Sequence, residues 1–150
     1  MKEMNSKRLD TIFDNDVINV CKTLHQHGYE AYIVGGAIRD AFLNVPIKDI
    51  DMTTNAHPNE IERLFPNSIP TGKKFGTITV VYESNKQSHH VQITTFRSEG
   101  NYSDNRHPDD IIYETDIKKD LSRRDFTINA LAYSPLKKEL IDMFNGIDHL

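Results

Sequence analysis

A short apolar run, Ala31 to Val34, meets two successive glycines, Gly35 and Gly36. Ala37-Ile38-Arg39-Asp40-Ala41-Phe42-Leu43 follows, with its apolar positions at helical spacing. The run reads as a buried strand and the segment after it as a helix. A strand that turns through glycines into a helix leaves the first helical N–H groups unpaired, at the end where the dipole favours anions. Such a turn suits a phosphate. By itself it is also an ordinary tight turn.

Beyond Asp40 the chain alternates acid and apolar: Asp49, Ile50, Asp51, Met52. On a strand, residues i and i+2 share one face, roughly 6–7 Å apart. Ile50 and Met52 are then expected inside, with both carboxylates aimed outward at one point. Two acids so placed repel unless a cation lies between them. An all-oxygen pair beside a phosphate cradle is the Mg²⁺ arrangement of phosphoryl transfer. Taken singly, an Asp-x-Asp pair is equally a solvated strand edge.

The other features narrow the class. A chain of 150 residues with 37% hydrophobic and 27% charged residues is expected to form one soluble domain. No apolar run approaches a membrane span, and Met1 to Arg8 lacks a signal-peptide core. The single cysteine, Cys21, has no internal disulfide partner and suits a reducing cytoplasm. A net charge of −4 does not advertise a nucleic-acid binder, so any RNA contact must come from local patches.

Read in order, Val17, Val20, Cys21 and Leu24 mark a helix starting near Asp14 or Asn15, with Gly28 as its stop. Thr53 to His57 reads as a loop, and Pro58 opens a short helix through Phe65. Pro70 to Gly76 is a glycine-bracketed basic connection, either a phosphate-touching loop or a solvated hairpin. Thr77–Tyr82 and His90–Phe96 read as paired strands joined by a Glu83–Ser88 turn. Glu99 to Asp110 reads as a long loop containing Arg106. Ile117–Leu121 and Phe126–Tyr133 read as short helical pieces, and Lys137–Phe144 as a turn and strand. His25, His27, His89 and His90 read as surface residues rather than ligands.

Three strings together carry a resemblance: Gly35-Gly36-x-x-Arg39-Asp40, Asp49-x-Asp51 and Arg123-Arg124-Asp125-Phe126-Thr127-Ile128-Asn129-Ala130. With Thr94-Thr95-Phe96-Arg97 they resemble, collinearly from about Ala31 to the end, the head domain of class II tRNA nucleotidyltransferases. These are the CCA-adding enzymes, and bacterial poly(A) polymerases are their close relatives. The resemblance implies an α+β chain with the DNA polymerase beta-like nucleotidyltransferase fold, a small mixed sheet with helices on one face. It implies transfer from CTP and ATP to the 3′ end of tRNA, with Asp49 and Asp51 as catalytic ligands of Mg²⁺. Gly36, Arg39 and Arg124 would meet the triphosphate and Asp125 the ribose. Asp40 either touches substrate or buttresses Arg39, and Asp125 has the further reading of a helix N-cap.

Two departures accompany it. Many relatives carry Glu before the Thr-x-Phe-Arg segment, where this chain has Gln92. Nor do these residues supply the acid–arginine motif of the neck that selects C or A, so residues 1–150 read as a catalytic head, a piece of a longer protein. The rival readings are a poly(A) polymerase and, from another class, a non-catalytic nucleotide- or RNA-binding module. A dinucleotide-binding oxidoreductase is disfavoured, because Gly-x-Gly-x-x-Gly is absent after the strand.

Overall fold

The computed structural model describes residue 13 and residues 15–43, 50–84, 87–99, 111–122 and 130–142; for residues 42, 71, 84, 87, 98, 99 and 111 it describes the backbone alone. Helix α1 spans Asn15–Gln26 and buries Val17, Val20, Cys21 and Leu24, the stripe expected from their spacing. It ends in a Schellman turn: Tyr29 N–H donates to Leu24 O and Gly28 N–H to His25 O, both at 3.0 Å. Gly28 takes φ +87°, a backbone state that glycine adopts without a Cβ clash.

Strand β1 (Ala31–Val34) then enters the sheet and passes through Gly35 into α2 (Gly36–Phe42). β2 covers Ile50–Thr54, α3 Pro58–Leu64 and β3 Ser68–Gly72. A 3₁₀ turn at Lys73–Phe75 leads into β4 (Thr77–Ser84) and β5 (Gln87–Thr95). After them come β6 (Arg97–Glu99), β7 (Ile111–Tyr113), α4 (Ile117–Ser122), β8 (Leu131–Ser134) and β9 (Glu139–Asp142).

Seven strands form one mixed sheet in the order β3-β4-β5-β2-β1-β8-β9, and β6 pairs with β7 in a separate ribbon. Within the large sheet only β2 and β5 run parallel. Side-chain alternation gives the sheet two different faces. Ile33, Met52, Ile78, Val80, Val91, Ile93, Leu131 and Tyr133 form the main core with the apolar sides of α1, α2 and α3. On the opposite face Tyr32, Val34 and Ala132 pack with Phe96 and with Ile117 and Leu121 of α4. Three helices therefore share one face as expected, while the smaller α4 closes part of the other.

Several local expectations are corrected. Thr53 and Thr54 continue β2 rather than starting a loop. Both are fully buried, and Thr53 Oγ1 donates to Thr94 O at 3.0 Å, so the strand satisfies these hydroxyls. The β4–β5 pairing runs to Ser84 opposite Gln87, so both strands extend into the segment expected as a turn. Polar Glu83 and Ser88 stay in the strands because neither needs to be buried there. Of the Pro70 to Gly76 stretch, Pro70 to Gly72 belong to β3 and only Lys73 to Gly76 connect the hairpin: Lys73 Nζ pairs with Glu62 Oε1 at 2.6 Å and Lys74 Nζ lies 5.0 Å from the Phe75 ring centre. Leu131 to Tyr133 is a strand, not a helix. Its residues are buried throughout, so the alternation that marks a half-exposed strand is missing. The β6–β7 ribbon brackets the segment expected as a long loop.

Candidate active site

The α2 turn is built from two glycines with different reasons. Gly35 caps the helix at φ 70°, ψ −136°, a conformation outside the range of side-chain-bearing residues. Gly36 has an ordinary φ, but a Cβ there would lie 3.2 Å from Nη2 of Arg39. The bare Cα thus makes room for the guanidinium, which folds back over the turn. Asp40 Oδ1 accepts from Arg39 Nε at 3.3 Å. Of the two readings for Asp40, this geometry is that of a buttress: the carboxylate holds the guanidinium over the glycine turn.

Asp51 stands beside this turn. It is in register with Val34, the residue just before Gly35, and on its other side with Gln92 of β5. Gln92 is in turn opposite Thr79 of β4, and Val34 is opposite Ala132 of β8. Asp51, Gln92 and Thr79 therefore form one lateral row on the face not covered by α1, α2 and α3. Asp51 and Gln92 are exposed, whereas Met52, facing the other way, is 1% exposed. The next row is hydroxylic: Thr53 is opposite Thr94, and Thr94 Oγ1 lies 2.9 Å from Thr77 Oγ1. Oxygen and amide groups line this patch, flanked by the apolar Tyr32, Val34 and Phe96 cluster.

Among the expected site residues, then, Gly36, Arg39 and Asp51 come together at the junction of β1, α2 and β2. Asp49, Arg124 and Asp125 lie outside the described residues, as do Arg106 and Phe126 to Asn129. Among the described residues no group of three or more His, Cys, Asp or Glu side chains is placed to hold a metal. The oxygens of Asp51 and Gln92 are hard donors, a chemistry that suits Mg²⁺ better than a sulfur- or imidazole-seeking ion. Among the described histidines, His25, His27, His57 and His90 are exposed and His89 is half-buried. His27 Nδ1 is 2.8 Å from Thr23 O, and His89 stacks on Tyr82 at 5.3 Å.

Thr94-Thr95-Phe96-Arg97 also has a structural part that its motif does not reveal. Thr95 Oγ1 donates to Ala56 O at 2.7 Å, and Phe96 N–H to Thr54 O at 2.7 Å. Arg97 N–H donates to Oδ1 of the fully buried Asp120 at 3.1 Å, and Arg97 Nη1 donates to Phe75 O. This segment locks β5, the end of β2, the β3–β4 turn and α4 together. A buried acid such as Asp120 within an amphipathic α4 was the available signal, since such acids are buried only when satisfied. Tyr113 on β7 packs against His57 at 4.7 Å, fastening the ribbon to the start of α3.

The fold that carries this site has known relatives. Residues 31–150 match the Poly A polymerase head domain. The chain belongs to that family. Within it, the similar curated proteins are CCA-adding enzymes. That of Lactobacillus helveticus is 46% identical over 131 residues, covering 87% of this chain and 32% of the enzyme. That of Lactobacillus delbrueckii subsp. bulgaricus is 42% identical over 147 residues, covering 98% of this chain and 36% of the enzyme. Among solved structures, the Bacillus stearothermophilus CCA-adding enzyme in complex with CTP gives a TM-score of 0.75 at 36% identity, over 88% of this chain and 30% of that one. The Thermotoga maritima CCA-adding enzyme complexed with tRNA gives 0.68 at 28% identity, over 95% and 33%. The chain spans about a third of the length of these relatives. No helix among the described residues is long and apolar enough to cross a membrane.

Proposed function

We propose that this chain is the catalytic head of a CCA-adding tRNA nucleotidyltransferase, using CTP and ATP to extend the 3′ end of tRNA in the cytoplasm. The observation that carries the reading is the placement of Asp51 beside the Gly35-Gly36 turn, in a chain 42% to 46% identical to enzymes of that name. The family itself is described by poly A polymerase, so the rival reading is A-tract synthesis on RNA 3′ ends.

In this reading Asp49 and Asp51 hold Mg²⁺, which when bound neutralises the triphosphate and lowers the pKa of the attacking 3′-hydroxyl. Arg39 pairs with the triphosphate through its planar fork of donors, oriented by Asp40. The N–H groups of Ile38 and Arg39 donate to Gly35 O, so those of Gly36 and Ala37 are the ones that meet the same anion. Arg124 adds a second cation for the triphosphate, and Asp125 accepts from the ribose hydroxyls. Gln92, next to Asp51, orients a hydroxyl or water through its amide and takes no proton. Incorporation of labelled CTP and ATP into tRNA lacking its CCA end, by this head within its full-length protein, tests the reading. Ordered CCA addition supports it; a homogeneous A tract on the same RNA favours the rival. No incorporation of either nucleotide by a folded, nucleotide-free full-length protein counts against both.

A further inference from the structure

We propose that the Thr77–Thr94 hydroxyl pair, with the Gln92 amide, reads the 2′-hydroxyl of the terminal ribose on the RNA being extended. This specificity role rests on the RNA-extending reading above and deepens it. Asp51 has a different neighbour on each side. Toward β1 its register partner is Val34, which leads into the Gly35-Gly36 turn under the Arg39 guanidinium. Toward β5 it is Gln92, with β4 beyond. The β1 side carries the cation and the N–H groups that suit a triphosphate. In phosphoryl transfer the attacking oxygen and the leaving group lie roughly in line, on opposite sides of the phosphorus. A leaving pyrophosphate held beside Arg39 therefore puts the attacking 3′-hydroxyl on the β5 and β4 side of Asp51.

That side is built from neutral hydrogen-bonding groups. Strand alternation sends Asp51 and Thr53, Gln92 and Thr94, and Thr79 and Thr77 to one face, in two lateral rows. With the Asp51 carboxylate as their single charge, the rows suit a neutral sugar hydroxyl better than a phosphate. Thr53 is already committed, being fully buried and donating to Thr94 O at 3.0 Å. Thr77 and Thr94 are half-buried, and their hydroxyl oxygens lie 2.9 Å apart.

A count of protons leaves this pair open to a ligand. Each threonine hydroxyl has one proton and two lone pairs. Their mutual bond uses one proton, and the accepting hydroxyl keeps its own. Among the described residues neither side chain makes a further hydrogen bond, so that proton and the remaining lone pairs are left for a ligand. Rows two residues apart along a strand stand roughly 6–7 Å from each other. Two neighbouring hydroxyls of one ribose, each with a hydrogen bond of about 2.8 Å, span that distance. A 3′-hydroxyl set at Asp51 and Gln92 thus brings its 2′-neighbour to Thr94 and Thr77. The 2′-hydroxyl both donates and accepts, and it is the group that separates RNA from DNA. Asp125, read above as the partner of the incoming nucleotide's ribose, serves the other reactant.

The test is CTP incorporation by the full-length protein on two tRNAs lacking CCA, identical except that one ends in a 2′-deoxyribose. Wild type is expected to prefer the ribose end by about tenfold in kcat/KM, the worth of the hydrogen bonds to one hydroxyl. Thr77→Val/Thr94→Val keeps the β-branched shape and is expected to reduce that preference to about twofold. Thr77→Ser/Thr94→Ser keeps both hydroxyls and is expected to retain it. A purely structural pair lowers turnover on both ends alike and leaves the ratio where it was. Where the valine pair does not fold, Thr94→Val alone reads the same ratio. The preference for CTP over 2′-deoxy-CTP as incoming nucleotide is expected to be the same in wild type and variants. Incorporation without a ribose preference in the wild type, an unchanged ratio in the folded valine variant, or a shift in the incoming-nucleotide preference instead overturns the inference. No incorporation on either tRNA by the folded wild type is failure of the proposed function itself and removes the inference with it.

Discussion

Asp51 of β2 and Gln92 of β5 lie side by side, in register on the one parallel strand pair of the sheet, and both side chains are exposed on the same face. A carboxylate and a neutral amide at that spacing are close enough for one ligand to touch both. Replacing the amide by an acid places two negative charges together, a strain that a divalent cation relieves. Gln92→Glu is therefore expected to tighten Mn²⁺ or Mg²⁺ binding by about tenfold, a gain lost again on adding Asp51→Ala. Calorimetric titration of the metal in the presence of a non-hydrolysable triphosphate measures this. Equal or weaker binding in Gln92→Glu would show that the two residues do not address one ion.

Asp51→Ala removes an exposed side chain, so its effect on stability is expected within about 0.5 kcal/mol. Its effect on function is expected to be large. Losing a metal ligand forfeits several kcal/mol of transition-state stabilisation, or roughly 100-fold and more in rate. Melting temperature and nucleotide incorporation, measured on one full-length variant, separate the two. Activity within a few-fold of wild type at equal Mg²⁺ rules out Asp51 as a ligand.

The two glycines of the α2 turn are expected to answer differently to alanine. At Gly35 the neighbourhood is empty but φ is +70°, so Gly35→Ala should cost about 1–2 kcal/mol of stability. At Gly36 the backbone is ordinary and the nearest group is the movable end of Arg39, 3.2 Å from an added Cβ. Gly36→Ala should thus be close to neutral in stability yet weaken triphosphate binding several-fold, by displacing the guanidinium. Denaturant unfolding and ATP titration of both variants decide it; the reverse pattern would mean that Gly36 is needed only for the turn.

Cys21 is fully buried on α1 with Sγ 3.8 Å from Met52 Sδ, and burial raises its thiol from 9.0 to about 12. A raised folded pKa means that stability from the neutral thiol is whole below about pH 9 and is lost as pH climbs toward 12. Between pH 8 and 10.5 the wild type should therefore lose more stability than Cys21→Ala. At pH 7 that variant should be less stable by about 1–2 kcal/mol, from the cavity. Iodoacetamide should label Cys21 only as fast as the chain unfolds. Rapid labelling of the folded protein, or identical alkaline loss in both proteins, would contradict this account.

What amino-acid order determined by itself is the set of elements with local causes. The Val17-Val20-Cys21-Leu24 stripe, the Gly28 stop, Pro58 at the start of α3 and the strand–glycine–helix unit at Gly35-Gly36 all depend on neighbours a few positions away. Periodicity and backbone sterics act over that range. The alternation of Ile50, Asp51 and Met52 likewise settled which face each would take.

Only the tertiary structure decided the rest. Leu131 to Tyr133 is a strand because β1 and β9 flank it and both of its faces are covered, an environment written in distant residues. The β6–β7 ribbon exists through pairing across an intervening stretch, and Arg97 finds its place through Asp120 and Phe75. Neither the Asp51–Gln92 row nor the Thr77–Thr94 hydroxyl pair leaves any local trace. Both arise where strand register and helix packing bring remote segments together, and those are set by burial of the whole core rather than by any one segment.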